Sequence, residues 1–164
     1  MLSETMLRLL EEENAACLIY RGETLLHRSQ SIGVKPLLEF MENHPEESEE
    51  HDLLLIDKVI GKAALLLSVL LGIKTIHTPV ASKAAVEAAK IHGVMLHAET
   101  VVPYITNREK NGMCPLEQSV LDTNDPQVAL ENIRAAIRIL MAGKKTVEND
   151  ISFSALEAAP DFHP

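Results

Sequence analysis

A chain of 164 residues with 46% hydrophobic and 24% charged side chains is long enough for one domain with a true core plus appendages, and its composition is that of an ordinary soluble globular protein. Twenty-four acids against fifteen Lys and Arg give a formal net charge of −9, and only five aromatic residues are present: Tyr20, Phe40, Tyr104, Phe153 and Phe162. Both argue against a general nucleic-acid surface, since the chain is acidic overall and has too few aromatics for a base-stacking platform; a local basic pocket stays compatible with the net charge.

In chain order, residues 3–13 carry Met6, Leu9 and Leu10 on one helical face and predict an amphipathic helix. Ala15 to Tyr20 and Thr24 to Arg28 flank the turn Arg21-Gly22-Glu23 and predict a β-hairpin. Pro36 fits the first turn of a helix running to Asn43. The acidic run Glu46-Glu47-Ser48-Glu49-Glu50 reads as a solvated connector. Next come an apolar strand over 52–56, a helix over 58–71 stopped by Gly72, and a strand over 73–77. A helix over 83–92, capped by Ser82 and ended by Gly93, precedes a strand over 94–98. Cys114-Pro115-Leu116-Glu117 opens a short helix, and Asp125-Pro126 starts an amphipathic helix to Met141.

Strands and helices alternating with short connections predict right-handed crossovers and parallel pairing, and the hairpin adds antiparallel strands. The expected fold class is α/β: a three-layer α/β/α arrangement around a mixed five-stranded sheet. The expected organisation is an α/β domain over 1–124, an appended amphipathic helix over 125–142, and a tail over 143–164 that is partly disordered or docked on a partner. Cys17 lies in an apolar run and reads as a small buried hydrophobe, and two cysteines make no disulfide framework. The first residues lack a signal-peptide pattern, and the run Ala63 to Leu71 is too short to span a bilayer. The expectation is a cytoplasmic protein without membrane partners.

The most informative stretch is Asp57-Lys58-Val-Ile-Gly61-Lys62, where a buried strand runs into a helix. Ligands in open α/β sheets sit outside the carboxyl ends of strands, at such junctions. Asp57 reads as the N-cap. Lys58 and Lys62, four apart on one helix face, would sit at the positive end of the dipole, and Gly61 has poor helix propensity. Three locally unfavourable choices invite a compensating anion on the free amides, with Gly61 permitting close approach. The plainer alternative is a capped helix start whose lysines extend into water.

Cys114 at a helix N-cap reads either as a partly buried cap without reactivity or as a thiol of lowered pKa, nucleophilic or redox-sensitive, with Asn107, Arg108 and Lys110 supplying donors and charge upstream. Ser82-Lys83 either lines the same crevice or simply caps its helix. His97-Ala98-Glu99 matches the His-x-Glu of zinc deaminases, but no Pro-Cys-x-x-Cys follows, so no metal site is expected.

Asp57-Lys58-Val-Ile-Gly61-Lys62-Ala-Ala, Ser82-Lys83, Asn107-Arg108 and Gly112-Met-Cys114-Pro115-Leu-Glu117 together resemble the domain-of-unknown-function family 1893, prokaryotic proteins without an established activity, over roughly residues 3–122. The resemblance implies a cytidine-deaminase-like fold lacking the zinc ligands. The metal thiols of that fold would fall on Asp57 to Gly61 and its His-x-Glu on Ser31 to Lys35, and neither is present.

The functional expectation is a protein that is not a zinc-dependent deaminase, needs no cofactor, and binds a small anionic or nucleotide-like metabolite at the 57–62 helix start. Lys58, Asp57 and Cys114 are the candidate catalytic residues. Gly61, Lys62, Ser82, Lys83, Arg108 and Glu117 are the candidate ligand-binding residues. The alternative is a non-catalytic oligomerisation or protein-interaction module, a homodimer or larger.

Overall fold

The computed structural model describes residues 2–44, 52–107 and 109–148. Helix α1 (Leu2–Glu12) precedes the hairpin of β1 (Cys17–Arg21) and β2 (Thr24–Ser29). Then come α2 (Lys35–Asn43), β3 (Leu53–Asp57), the two-residue strand β4 (Val59–Ile60) and α3 (Lys62–Leu70). Strand β5 (Ile73–Ser82), helix α4 (Lys83–His92) and strand β6 (Met95–Val102) follow, then α5 (Pro115–Gln118) and α6 (Pro126–Glu148).

All six strands form one mixed sheet. β1 pairs antiparallel with β2 and β3, while β3, β4 and β6 each pair parallel with β5. β3 runs along Ile73 to His77 of β5 and β4 along Val80 and Ala81, so the two are pieces of a single line of the sheet broken at Lys58. The break explains why the described residues hold six strands where five were expected. It also explains why α3 starts at Lys62 rather than Lys58: the β-branched Val59 and Ile60 are held in the sheet by β5.

Pro79 lies opposite this break. The β3 ladder ends at His77 and the β4 ladder begins at Val80, so a residue without an N–H is tolerated inside a central strand. β5 and β6 therefore run past Thr78-Pro79 and Ala98 to Ser82 and Val102, several residues beyond the expected ends.

Alternation along β1 and β3 separates two cores. Cys17, Ile19, Leu53 and Leu55 face the main core, built with α2, α3, α4 and α6, whereas Leu18 and Ile56 face α1 through Leu10. Cys17 is fully buried, as its surroundings in sequence suggest. Every residue of α3 from Lys62 to Ser68 is buried, the condition of a helix that is apolar all round. Ser82 caps α4, its hydroxyl accepting from the Ala85 amide at 3.1 Å, and Gly93 ends that helix at φ +68°. Gly72 does the same after α3 at φ +79°.

Helix α6 differs from its expected description. It continues to Glu148, past the expected end, and Ala129, Leu130 and Ile133 enter the main core against α3. The acidic connector 46–50 and residues 149–164 of the expected tail lie outside the described residues. No helix among the described residues is long and apolar enough to cross a membrane.

Candidate functional site

The start of α3 is buried and already carries an anion. Glu117, from the first turn of α5, reaches across so that one carboxylate oxygen accepts from the Lys62 amide at 2.6 Å and the other from the Ala63 amide at 3.1 Å. These are donors that a helix start leaves free, and a carboxylate satisfies them with charge-assisted bonds favoured by the dipole. Gly61, the N-cap, has extended backbone (φ −99°, ψ 178°) that any residue adopts. Its glycine is required by space: a Cβ there would lie 2.5 Å from both Glu117 oxygens. The close approach expected of an external ligand at Gly61 is made by the chain's own carboxylate.

Lys62 is only 7% exposed, and its ammonium donates to the Leu121 carbonyl at 3.2 Å. Burial lowers its pKa, partly offset by the negative charges of Glu117 and Asp122. Glu117 is pushed up by burial and drawn back by the two amides and by Lys62.

Asp57 is not the cap of this helix. It closes β3 opposite Cys17, fully buried, with Oδ1 accepting weakly from the Val59 amide at 3.4 Å and Oδ2 without a hydrogen-bond partner. Burial raises its pKa well above the ordinary carboxyl value, against smaller opposing effects of the Val59 and Lys58 amides and the Cys17 thiol. The Cys17 thiol is likewise pushed well up, first by burial and then by the Asp57 charge.

Lys58 and Lys62 do not share a helix face. Lys58 sits at the break between β3 and β4, its amide donating to the Ala16 carbonyl at 3.1 Å. Its exposed side chain lines an open groove of about 670 Å³ with Glu4, Arg8 and Glu11 of α1 and with Pro79 and Glu99. Lys62 turns toward the segment after α5 on the main-core side. The expected pair of converging lysines is therefore absent, because the helix begins four residues later than the sequence pattern implies.

Cys114 is the N-cap of α5, but its side chain makes no capping bond and is buried. Its pKa moves upward through burial, against the Glu117 and Leu116 amides, which is opposite to the expected lowering. A helix of one turn has little dipole to set against that burial. Ser82 is a buried cap and Lys83 an exposed first-turn residue of α4. Arg108 lies outside the described residues.

Cys114, Glu117, Gly61, Val34, Val59 and Ile105 surround a cavity of about 20 Å³ between the starts of α2 and α3. It has room for about one water. Only Cys114 and Glu117 among its lining residues carry donor side chains of metal-ligand type, and a tetrahedral zinc needs three plus water. Among the described residues no group of three or more His, Cys, Asp or Glu is placed to hold a metal ion. His97, in β6, stacks on His77 with ring centroids 4.6 Å apart.

Beside the cavity, sharing Val59 and Ile105 with it, opens a groove of about 600 Å³ lined further by Val80, Val102, Tyr104, Thr106 and Lys110. It lies across the carboxyl ends of β4, β5 and β6. One wall is a tight loop: Thr106 bridges Met113, the Asn107 side chain bonds to Asn111, and Lys110 has φ +60°. Sequence reasoning missed Tyr104 and Thr106 as groove residues and named Lys110 only as a charge upstream of Cys114. The signal available was their position just past the last strand of a parallel set.

A solved structure described as a DUF1893 family protein (TM1506) from Thermotoga maritima is similar to this chain, with 27% identity, 82% of this chain and 87% of that chain covered, and a TM-score of 0.67. No curated protein matches. The family model described as TM1506, domain of unknown function (DUF1893), matches residues 5–137, extending past the expected 122 into α6. The chain belongs to the DUF1893 family.

Proposed function

We infer that this protein binds a small, largely apolar molecule carrying an anionic group, in the groove across the carboxyl ends of β4, β5 and β6. The observation that carries this reading is the groove itself: about 600 Å³, walled by Val59, Val80, Val102 and Tyr104, with Lys110 as its cation and Thr106 as a hydroxyl. That volume and mixture suit a metabolite-sized ligand, and the position is where parallel α/β sheets place ligands. The binding role expected at residues 57–62 moves outward to this groove, since Glu117 holds the helix amides and the cavity beside them admits no metabolite.

The cytidine-deaminase-like, metal-free reading has support of its own. An antiparallel hairpin flanks parallel β3, β5 and β6, and the starts of α2 and α3 meet at a cavity where that fold would keep its metal. Cys114 and Glu117 stand there as a raised-pKa thiol and a carboxylate committed to a helix cap, so binding is favoured over catalysis. The test is a thermal-shift screen with carboxylate and phosphate-ester metabolites. A hit should raise the melting temperature, the rise should vanish in Lys110→Glu, and it should persist in Lys58→Ala. A broad panel without any shift sinks the proposal.

A second reading, an assembly module, is favoured by the exposed strand β6, whose Met95 and Val101 are 61% and 48% exposed.

A further inference from the structure

Among the described residues β6 pairs only with β5, so its other edge presents unpaired backbone donors and acceptors along eight residues. Natural edge strands of this length are usually blunted by charge, proline or a covering segment. On one face of the strand the exposed positions read Met95, His97, Glu99 and Val101: apolar, imidazole, carboxylate, apolar; on the other face Thr100 is exposed. Helix α4, which packs on β6, adds Ile91 at 58% exposure.

That order is self-complementary. In an antiparallel pair, opposite residues share a face and either both point their amides at the partner or both do not. Two copies of one edge can therefore meet only in registers whose opposite residue numbers sum to an even value. With the two-fold axis through Ala98, Met95 faces Val101 and His97 faces Glu99, each pair occurring twice. Shifting the axis to residue 97 sets His97 against His97 and Met95 against Glu99. Shifting it to residue 99 sets Glu99 against Glu99. Only the axis at Ala98 matches apolar with apolar and base with acid, and like charges directly opposite are destabilising.

We propose that β6 is a homodimer edge: a second copy of this chain adds antiparallel across a two-fold axis at Ala98, joining two sheets into one. This rests on the assembly reading above and is independent of the ligand groove. An isologous contact of this kind closes after two copies, which removes both β6 edges at once.

The test is molar mass by light scattering over a dilution series, with circular dichroism confirming that each variant is folded. The wild-type chain is expected at twice its 18.1 kDa. His97→Glu and Glu99→Lys should each weaken the dimer, by about tenfold or more for His97→Glu, where carboxylates oppose each other at both pairs. An equimolar mixture of the two variants should regain it, because each new charge then meets its opposite. Ala98→Cys should cross-link to itself on oxidation, while His97→Cys and Glu99→Cys should not. A monomeric wild type would defeat both this edge and the assembly reading. A dimer indifferent to both charge reversals would defeat the edge alone. Self-cross-linking at position 97 or 99 instead of 98 would overturn the register.

Discussion

Asp57 and Glu117 are two carboxyl groups withdrawn from water near the start of the same helix, and the protein treats them oppositely. Glu117 has an amide on each oxygen and the Lys62 ammonium nearby, so its desolvation is answered by three groups that favour its charge. Asp57 has one long bond from Val59, an orphaned oxygen and a buried thiol across the strand. Burial pushes both upward, Asp57 well above the ordinary carboxyl value. The difference shows that depth alone does not set the charge of a buried acid; short bonds from oriented amides and a nearby ammonium count as well.

The sharpest way to break this contrast is Glu117→Ala. It leaves two buried amides unanswered and Lys62 with only Asp122 as a nearby negative charge, and should cost about 3–5 kcal/mol in denaturant unfolding. A loss below about 1 kcal/mol would mean that the cap is ornamental. Next in size is Gly61→Ala, which drives a Cβ into the Glu117 carboxylate and should cost about 2–3 kcal/mol. In a Glu117→Ala background the same substitution should cost much less, and additivity of the two would refute the contact.

Asp57→Asn should act in the other direction. The folded pKa of Asp57 is raised, so as pH climbs from the ordinary carboxyl range toward that value the unfolded chain releases a proton which the folded chain retains, and stability falls. The variant escapes that fall. Its melting temperature should exceed that of the wild type by about 3–6 °C at pH 8, with the gap closing near pH 4. A gap independent of pH would contradict the assignment. Ser82→Ala removes a local cap and should cost only about 1 kcal/mol, setting the scale against which the remote cap is judged.

Much of the fold was legible because punctuation and period agreed. Gly72 and Gly93 stop helices with positive φ, Ser82 caps one, and the alternation of strands with helices implied the parallel pairing of β3 with β5. The site was less legible, for a physical reason. Asp57-Lys58 is locally a good helix start, and only pairing with a strand some twenty residues later keeps Val59 and Ile60 extended. Glu117 was recognised as a site residue, but as a group that would help hold a ligand. Its destination, 55 residues back along the chain, is written in no local pattern. For Cys114 the cap position argued for a lowered pKa, whereas its burial and raised pKa agree with the alternative of a partly buried cap. The end of β6 could have been extended from its β-branched run Thr100-Val101-Val102.

The bond from Glu117 to Lys62 also constrains the order in which the molecule can be built. As the chain emerges during synthesis, the most deeply buried helix appears first and must wait some fifty residues for the group that finishes its leading turn. Until then its apolar surface and bare amides depend on transient partners, the circumstance in which nascent chains linger and aggregate. A closure of this span is slow compared with helix growth, so docking of α5 and α6 onto α3 is the natural last step of folding.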